Sequence, residues 1–314
     1  MSADDLHPDL RRVYRFIPNI PITHAWQRAM IRGLMSLAPT PRSTARVTYE
    51  RVDLGPGARI HLFCPAGEST GAALMWIHGG GMVIGAAAQD HRRNVALVEE
   101  LGITVASIDY RLAPEHPFPQ PLEDCHRAWE WLHAEAPRYG IDAERIAIGG
   151  QSAGGGIAAG LVQRLVDEGG VQPAAQWLFC PMLDDRTAAH RDLDAVRHPV
   201  WDNRANRVGW RAYLGVEPGG ESVPQYAVPA RRTDLAGLPP TWIGTGTAEL
   251  FNAEDIAYAR ALDAAGVDCT LDDVAGAPHG FESASPTLPL ARAYLERAQE
   301  WLHSRLAPPS EEER

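Results

Sequence analysis

The chain has 314 residues, of which 45% are hydrophobic, and a formal net charge of −11 at pH 7. This length and composition fit a globular protein with a full core, and the negative charge argues against nucleic acid or an anionic membrane as partner. Four widely spaced cysteines form no Cys-x-x-Cys pair, which predicts free, mostly buried thiols in a reducing cytoplasm and no metal site or cofactor. They are Cys64, Cys125, Cys180 and Cys269.

The N-terminal residues and the length of the apolar runs predict neither a signal peptide nor a membrane span. Residues 1–5 are not a basic segment followed by an apolar one, so no signal peptide is expected. No apolar run reaches about 18 residues, so no membrane span is expected either. These observations predict a cytoplasmic protein, and residues 308–314 are expected to form a solvated tail.

Residues 1–45 contain two helical patterns, each with apolar residues recurring on one face. The faces consist of Leu10, Val13, Tyr14 and Ile17 in the first pattern and of Trp26, Met30, Ile31 and Leu34 in the second. A β-hairpin is predicted next, with strands over Val47–Leu54 and Arg59–Cys64 around a Gly-Pro-Gly turn.

From residue 73 onwards, strand-like and helical segments alternate. The predicted strands are Ala73–Ile77, Thr104–Asp109, Arg145–Ile148, Gln176–Cys180, Thr241–Gly244 and Cys269–Asp273. The predicted helices lie near residues 90–101, 120–135, 154–167, 253–265 and 288–305. Such alternation indicates an α/β protein with a mostly parallel sheet and helices on both faces.

The segment 184–225 breaks this alternation, since it is rich in Arg, Asp and Trp and has no strand pattern. We predict that it is an insertion that forms a helical cap together with residues 1–45. The α/β core then consists of residues 46–183 and 226–307.

The sequence Gly150-Gln151-Ser152-Ala153-Gly154 lies between a strand-like run and a helical stretch rich in Gly and Ala. A G-x-S-x-G motif in this context is typical of the nucleophile elbow, a tight turn that exposes a serine hydroxyl at the end of the sheet. The motif also arises by chance in a chain with 29 glycines, so its chemistry depends on partners elsewhere.

A serine nucleophile needs a histidine as base and a carboxylate that orients the histidine. His279 lies in a loop after the last predicted strand, where catalytic groups of parallel sheets collect. The other histidines that follow Ser152 lie in the predicted cap or on the C-terminal helix. They are His190, His198 and His303.

The carboxylate is expected in the loop after the preceding strand, and Glu249 comes directly after that strand. Glu254 and Asp255 are alternatives, but acids at these positions also suit the first turn of a helix through capping and the helix dipole. We therefore predict Glu249 as the acid.

An oxyanion in the reaction would need preorganised N–H donors. Ala153, the residue after the serine, is placed to supply one, and the loop His78-Gly79-Gly80-Gly81 supplies the others, because glycine lets the backbone approach a substrate closely. His78 itself is expected to fix the loop by hydrogen bonding.

Four motifs occur in a characteristic order: residues 78–81, Asp109–Pro119, the elbow and Pro278–Phe281. From about Leu74 to the C-terminus the chain thereby resembles the hormone-sensitive-lipase-like family of α/β-hydrolases, the bacterial family IV carboxylesterases. The resemblance implies an α/β-hydrolase fold with a mostly parallel central sheet, helices on both faces and a helical cap.

The resemblance also implies roles for individual residues. Ser152, Glu249 and His279 correspond to the catalytic serine, acid and histidine of the family. The oxyanion donors correspond to Gly80, Gly81 and Ala153, and Gly79 shares their loop. Asp109 and Arg111 are interpreted as structural residues behind the site, or else as solvated charges at a strand end.

Two positions depart from the family pattern. Gln151 stands where the family usually has Asp, which puts in doubt any support that this Asp gives to neighbouring loops. The family's acid motif, D-P-L-x-D-E, aligns with Glu249-Leu250-Phe251-Asn252-Ala253-Glu254. A glutamate can do the work of the acid, with one more rotatable bond.

The resemblance implies hydrolysis of short- to medium-chain acyl esters through an acyl-serine intermediate, without a metal or cofactor and with a small-molecule ester as partner. A homodimer is expected from the family alone. One alternative is a non-catalytic ligand-binding homologue, although such proteins typically lose the histidine that this chain keeps at position 279. A lactonase, amidase or peptidase with the same triad remains open, because the acyl-enzyme chemistry is shared.

Aromatic residues of the predicted cap are candidates for the walls of a substrate pocket, or equally for ordinary packing within the cap. They are Trp26, Trp201, Trp210 and Tyr213. The sequence shows no exposed apolar lid helix of the kind that would favour long-chain lipase activity at an oil interface.

Overall fold

A single eight-stranded sheet forms the centre of the computed structural model, which describes residues 5–14 and 17–308. The strands are β1 (Val47–Asp53), β2 (Arg59–Pro65), β3 (Ala73–Ile77), β4 (Thr104–Asp109), β5 (Ile146–Gln151), β6 (Gln176–Phe179), β7 (Thr241–Gly246) and β8 (Cys269–Val274). Their order across the sheet is β1-β2-β4-β3-β5-β6-β7-β8. The first two form the predicted hairpin and β2 pairs antiparallel with β4, whereas all other pairs are parallel. The predicted mostly parallel sheet is therefore confirmed.

The strand sequences explain why the sheet is covered on both faces. In β3 all five residues are buried, and successive side chains point to opposite sides of the strand. Leu74 and Trp76 lie in one apolar cluster, and Met75 and Ile77 lie in the other. A continuous apolar run of this kind is typical of a parallel strand between two helical layers.

The described residues form ten α-helices, which pack mainly against the two faces of the sheet. They are α1 (Pro8–Tyr14), α2 (Ala25–Ser36), α3 (His91–Leu101), α4 (Gln120–Glu135), α5 (Ala153–Glu168), α6 (Asp185–Ala189), α7 (Asn203–Leu214), α8 (Asn252–Ala264), α9 (Phe281–Ala284) and α10 (Pro289–Leu306). Helices α4, α5 and α8 bury side chains in one cluster, and α3 and α10 bury theirs in the other. Within the described part of the chain, no helix is both long and apolar enough to span a bilayer.

The segment 184–225 contains α6, a 3₁₀ turn and α7, and no strand. The chain ahead of α2 is tied to it by two hydrogen bonds. The N–H of Ile20 donates to the carbonyl oxygen of Val200 at 3.2 Å, and Asn19 Nδ2 donates to Asp202 Oδ2 at 2.6 Å. These contacts join part of the N-terminal region to the predicted insertion.

Helix α1 packs on the face of the sheet that α3 and α10 cover. Leu10 and Tyr14 are buried in the apolar cluster on that side of the sheet. The N–H of His7 also donates to the carbonyl oxygen of Gly276, in the loop after β8, at 2.9 Å. The division of the chain into cap and core segments stays a prediction. Residues 309–314 of the predicted tail lie outside the described residues.

Candidate active site

Ser152 occupies the sharp turn between β5 and α5. Its backbone has φ +56° and ψ −122°, a conformation that an L-residue adopts only where the surrounding structure imposes it. The turn closes because its flanking residues are glycines. A Cβ on Gly150 would lie 2.4 Å from the carbonyl oxygen of Gly154, and one on Gly154 would lie 2.1 Å from that of Ile77. The motif therefore has the strand–turn–helix context that the sequence predicts.

His279 and Glu249 lie in loops that follow the adjacent strands β8 and β7. His279 Nε2 lies 2.9 Å from Ser152 Oγ, and His279 Nδ1 lies 2.6 Å from Glu249 Oε2. Thr245, near the end of β7, donates its hydroxyl to Glu249 Oε1 at 2.6 Å. The structure thus brings the three predicted residues into one hydrogen-bonded series, in which each is only 4–7% exposed.

This arrangement is suited to activating a hydroxyl group. A carboxylate on Nδ1 fixes the imidazole in the tautomer whose Nε2 is free to accept a proton. The ring of Phe251 packs against the His279 ring at 5.3 Å between centroids, in an edge-to-face contact. The imidazole is therefore held by a carboxylate on one nitrogen and by an aromatic neighbour.

Glu254, one of the alternative acids, serves a different segment. Its Oε1 accepts hydrogen bonds from the N–H groups of Leu183 at 2.7 Å and Asp184 at 3.1 Å. Its Oε2 accepts the hydroxyl of Thr187. Burial raises the pKa of Glu254 to about 8 despite these donors. This carboxyl group therefore supports the chain that follows β6 rather than the histidine.

Asp255, the other alternative, is fully buried beside Glu249. Among the described residues, neither carboxylate oxygen lies in hydrogen-bond geometry with a donor. Burial first, and then the charge of Glu249, raise the pKa of Asp255 well above its usual range. Glu249, in contrast, accepts hydrogen bonds at both oxygens, so it is the acid that the geometry brings to His279.

His78 fixes the loop after β3. Its Nδ1 is 2.8 Å from the carbonyl oxygen of Gly79, and its ring stacks on Tyr110 at 4.3 Å between centroids. Burial lowers the pKa of His78, so the ring is neutral. A Cβ on Gly79 would be 3.3 Å from the Cβ of Ser152, which shows that the loop lies against the elbow.

The three backbone amides predicted as oxyanion donors are unpaired among the described residues. Among the described residues, no hydrogen bond engages the N–H groups of Gly80, Gly81 or Ala153. Two of these belong to the glycine loop, and Ala153 is the first residue of α5. Amides of this kind can stabilise an oxygen atom that develops negative charge beside Ser152.

The contacts of Asp109 and Arg111 are those of structural residues. Asp109 accepts the N–H of Ala87 at 2.7 Å and contacts His61 Nε2 at 2.9 Å. Burial disfavours its ionisation, yet the hydrogen bonds from His61 and Ala87 hold its pKa below the usual range. Arg111 binds the buried Asp124 through two guanidinium nitrogens, at 2.9 and 2.8 Å. Asp109 therefore ties the end of β4 to β2 and to the segment after β3, and Arg111 ties the loop after β4 to α4.

Trp201 contacts the glycine loop, and Trp210 and Tyr213 belong to α7, which approaches that loop at Gly209. The ring of Trp201, 2% exposed, lies over Gly81, where a Cβ would be 2.1 Å from the indole. Helix α7 also crosses this loop, since a Cβ on Gly209 would lie 2.7 Å from the carbonyl oxygen of Gly81. Trp210 and Tyr213 of α7 are buried and pack edge-to-face at 6.1 Å.

Helix α2 differs from the other helices in that none of its residues is buried. Trp26, predicted to line the pocket, is 64% exposed, so its indole does not pack in a wall of the site. Four large apolar side chains, at spacings that place them on one helical face or just beyond its end, are exposed to solvent. They are Trp26, Met30, Leu34 and Leu37. Helix α2 thus exposes an apolar row that the sequence pattern alone does not predict.

The exposure of this face follows from how α2 is attached. Arg32 donates to the carbonyl oxygens of Val83 at 2.8 Å and Ala113 at 2.6 Å, and it pairs with Glu115 at 2.9 Å. Arg32 and the half-buried Ile31 therefore attach the helix to the core, while the side chains of Trp26, Met30 and Leu34 face solvent.

Two features of the site could not be read from sequence spacing. Gln151, the departure from the family pattern, donates its Nε2 to Glu282 Oε1 at 2.5 Å and to Ser283 Oγ at 2.9 Å. Glu282 is buried directly after the Pro-His-Gly-Phe motif. The only sequence signal was the unusual glutamine, and its partner is 131 residues away along the chain.

Cys180 is the second such feature. Its sulfur, a carboxylate oxygen of Glu249 and a ring nitrogen of His279 lie within 4.8 Å of one another, as the ligands of a metal ion would. The carboxylate and the imidazole are already hydrogen-bonded to each other, however. Burial raises the pKa of the Cys180 thiol well above its usual value, so the thiol is protonated. All four cysteines are free.

Known proteins share this fold over nearly the whole chain. A family model described as alpha/beta hydrolase fold matches residues 74–283. Esterase LipI of Mycobacterium tuberculosis is 33% identical over 269 residues, which cover 81% of this chain and 82% of that protein. The structure of a bacterial heroin esterase superposes with a TM-score of 0.86 at 35% identity, covering 98% of this chain and 100% of that one. Esterase LipW from Mycobacterium marinum gives 0.86 at 32% identity, with 98% of each chain covered.

The fold and the site define an α/β-hydrolase. With these matches, the chain belongs to the α/β-hydrolase fold family, in the hormone-sensitive-lipase-like branch that the four sequence motifs indicate.

Proposed function

We propose that the chain hydrolyses short- to medium-chain acyl esters through an acyl-serine intermediate on Ser152. Membership of a family whose compared relatives are esterases makes the chain a carboxylic ester hydrolase. The observation that carries the proposed mechanism is the hydrogen-bonded series from Ser152 Oγ through both ring nitrogens of His279 to Glu249.

In the acylation step, His279 Nε2 takes the hydroxyl proton as Ser152 Oγ attacks the carbonyl carbon of the ester. Glu249 stabilises the imidazolium ion that forms and keeps its orientation. The carbonyl oxygen becomes an oxyanion, which accepts hydrogen bonds from the N–H groups of Gly80, Gly81 and Ala153. When the C–O bond to the alcohol breaks, the Nε2 proton passes to the leaving oxygen and the acyl group stays on Ser152.

In the deacylation step, a water molecule takes the place of the alcohol. His279 Nε2 removes a proton from this water as its oxygen adds to the acyl carbon. The same amides stabilise the second oxyanion. Its collapse breaks the bond to Ser152 Oγ, which recovers the proton from His279, and the carboxylic acid leaves.

The cap is proposed to limit the acyl and alcohol groups that the site accepts. The supporting observation is that Trp201 lies over Gly81, while Trp210 and Tyr213 are buried in the adjacent α7. Rigid aromatic side chains above the glycine loop favour short acyl groups over long ones.

Hydrolysis of a p-nitrophenyl ester series, from acetate to palmitate, tests the proposal. Turnover is expected to peak at short acyl chains and to fall by about 10⁶-fold in Ser152→Ala, because a triad without its nucleophile keeps only background catalysis. Ser107→Ala is a matched control, since Ser107 is a buried serine on β4. A folded protein without ester turnover, or with equal turnover in Ser152→Ala, would contradict the proposed mechanism.

A further inference from the structure

The loop that carries His279 is joined to the elbow by a second polar connection besides the bond between His279 and Ser152. The side-chain amide of Gln151 donates to Glu282 Oε1 at 2.5 Å and to Ser283 Oγ at 2.9 Å. The same amide passes close to the residue after the histidine, because a Cβ on Gly280 would lie 3.5 Å from Gln151 Nε2. One side chain, next to the serine in sequence, thus reaches the segment that follows the histidine.

We propose that Gln151 and Glu282 are positioning residues for ester hydrolysis, an inference that rests on the proposed function. Their hydrogen bond fixes the loop of His279 relative to the elbow, so that His279 Nε2 stays within hydrogen-bond distance of Ser152 Oγ.

The local structure explains why this loop needs an external anchor. Helix α9, which starts two residues after His279, has only four residues, and so short a helix is not stable by itself. Phe281 anchors its apolar side by packing on Tyr294, at 4.9 Å between ring centroids. Glu282 anchors its polar side through Gln151. With both anchors, the segment after the imidazole is fixed to β5 through Gln151 and to α10 through Tyr294.

The charges around Glu282 indicate that Gln151 is its principal side-chain donor. Burial raises the pKa of Glu282, while the positive charge of Arg93 and the hydrogen bond from Gln151 act in the opposite direction. The Arg93 guanidinium lies over the rings of Phe179 at 4.1 Å and Trp76 at 4.4 Å, and none of its nitrogens has a hydrogen-bond partner among the described residues. Arg93 therefore supplies charge but no bond, and a buried carboxylate needs bonds as well as charge.

The same geometry accounts for the departure from the family pattern at position 151. An aspartate there would direct a second carboxylate towards Glu282, and like charges that close repel each other. Glutamine instead offers an amide donor to the carboxylate. The unusual Gln151 and the acid at position 282 are therefore a complementary pair.

Gln151→Met tests the proposal, because methionine keeps the length of the side chain and removes its donors. We expect kcat for p-nitrophenyl butyrate to fall about 10- to 100-fold, the usual cost of a misplaced catalytic group, with KM changed less than about threefold. Gln163→Met is the matched control. Gln163 is a buried glutamine of α5 whose Nε2 also makes two bonds, to Pro229 O at 3.0 Å and Tyr258 Oη at 3.1 Å. We expect Gln163→Met to lower Tm by about as much as Gln151→Met does, and to leave kcat unchanged.

An exchange of donor and acceptor provides the rescue. Gln151→Glu alone places two carboxylates face to face and is expected to be the least active variant, while Glu282→Gln alone is expected to be intermediate. The double variant Gln151→Glu/Glu282→Gln restores one amide and one carboxylate, and its kcat is expected to exceed that of Gln151→Glu by about tenfold or more.

Two results would overturn the inference: kcat of Gln151→Met within twofold of the wild-type value, or a double variant no more active than Gln151→Glu. If Gln151→Met does not fold, the comparison of the exchange variants decides. Failure of the proposed function gives a different result, because the wild-type protein would then lack turnover that depends on Ser152.

Discussion

Ser152, Glu249 and His279 are 4–7% exposed and joined by hydrogen bonds, whereas helix α2 has no buried residue and exposes a row of apolar side chains. The three catalytic candidates are placed by strand ends and tight turns of the sheet. Helix α2 is attached to the core through the hydrogen bonds of Arg32 and the packing of Ile31. Backbone geometry therefore determines the positions of the catalytic candidates, while the position of α2 depends on the side-chain contacts of Arg32 and Ile31.

Of the following variants, Glu249→Gln is expected to have the largest effect. An amide can present an N–H to His279 Nδ1, which would favour the wrong imidazole tautomer, so kcat should fall by up to about 10⁴-fold. Steady-state kinetics on p-nitrophenyl butyrate measure it. A loss of less than tenfold would show that the acid lies elsewhere.

Trp201→Ala is expected to have the next largest effect, because the indole is buried against Gly81. Removing a buried tryptophan side chain typically costs about 3–5 kcal/mol of unfolding free energy. Urea denaturation measures this loss, and a decrease in kcat should accompany it because the glycine loop loses its cover. A change in unfolding free energy below about 1 kcal/mol would show that Trp201 is packed as loosely as the exposed side chains of α2.

Glu254→Gln is expected to change the pH dependence of stability rather than catalysis. The pKa of Glu254 is about 8 in the folded protein, against an ordinary value of 4.5. Between these values the folded protein binds one more proton than the unfolded chain, so the contribution of this group to stability declines as pH rises from about 4.5 to about 8.

A glutamine at position 254 does not titrate, and it can still accept from the two amides and donate to Thr187. The Tm of Glu254→Gln should therefore rise relative to that of the wild type between pH 5 and pH 8, with kcat unchanged within a few-fold. Thermal melts across this pH range test the sign. A constant difference in Tm would contradict the raised pKa, and a crippled kcat would contradict the assignment of Glu249.

Trp26→Ala is expected to have the smallest effect. Because the side chain is 64% exposed, its removal should change the free energy of unfolding by no more than about 0.5 kcal/mol and leave kcat/KM for p-nitrophenyl butyrate unchanged. A tenfold loss of kcat/KM would instead return Trp26 to the substrate pocket that the sequence pattern suggests.

The regular elements could be predicted well from sequence, because the apolar periodicity of each strand and helix reflects the layers that cover it. The predicted strands Ala73–Ile77 and Thr104–Asp109 coincide with β3 and β4, and the predicted hairpin is present. Ser152 and His279 could be found for a related reason. Each follows a strand that ends at the same edge of the sheet.

Side-chain environments away from the strand ends could not be predicted in the same way. The apolar pattern of α2 indicates a helix, but it does not reveal that Arg32 would attach the helix and leave Trp26 in solvent. Nor could spacing pair Gln151 with Glu282, since the contact depends on how two distant loops meet. The cytoplasmic location and the homodimer stay predictions.

The exposure of Trp26 gives the molecule a built-in optical probe. Of its nine tryptophans, two are half-buried, six are buried and Trp26 alone is freely exposed. A water-soluble quencher such as iodide or acrylamide should reduce the fluorescence of this indole first, and Trp26→Phe should remove that fraction of the signal. Protection of Trp26 from the quencher upon addition of any molecule would then report that the apolar face of α2 has been covered.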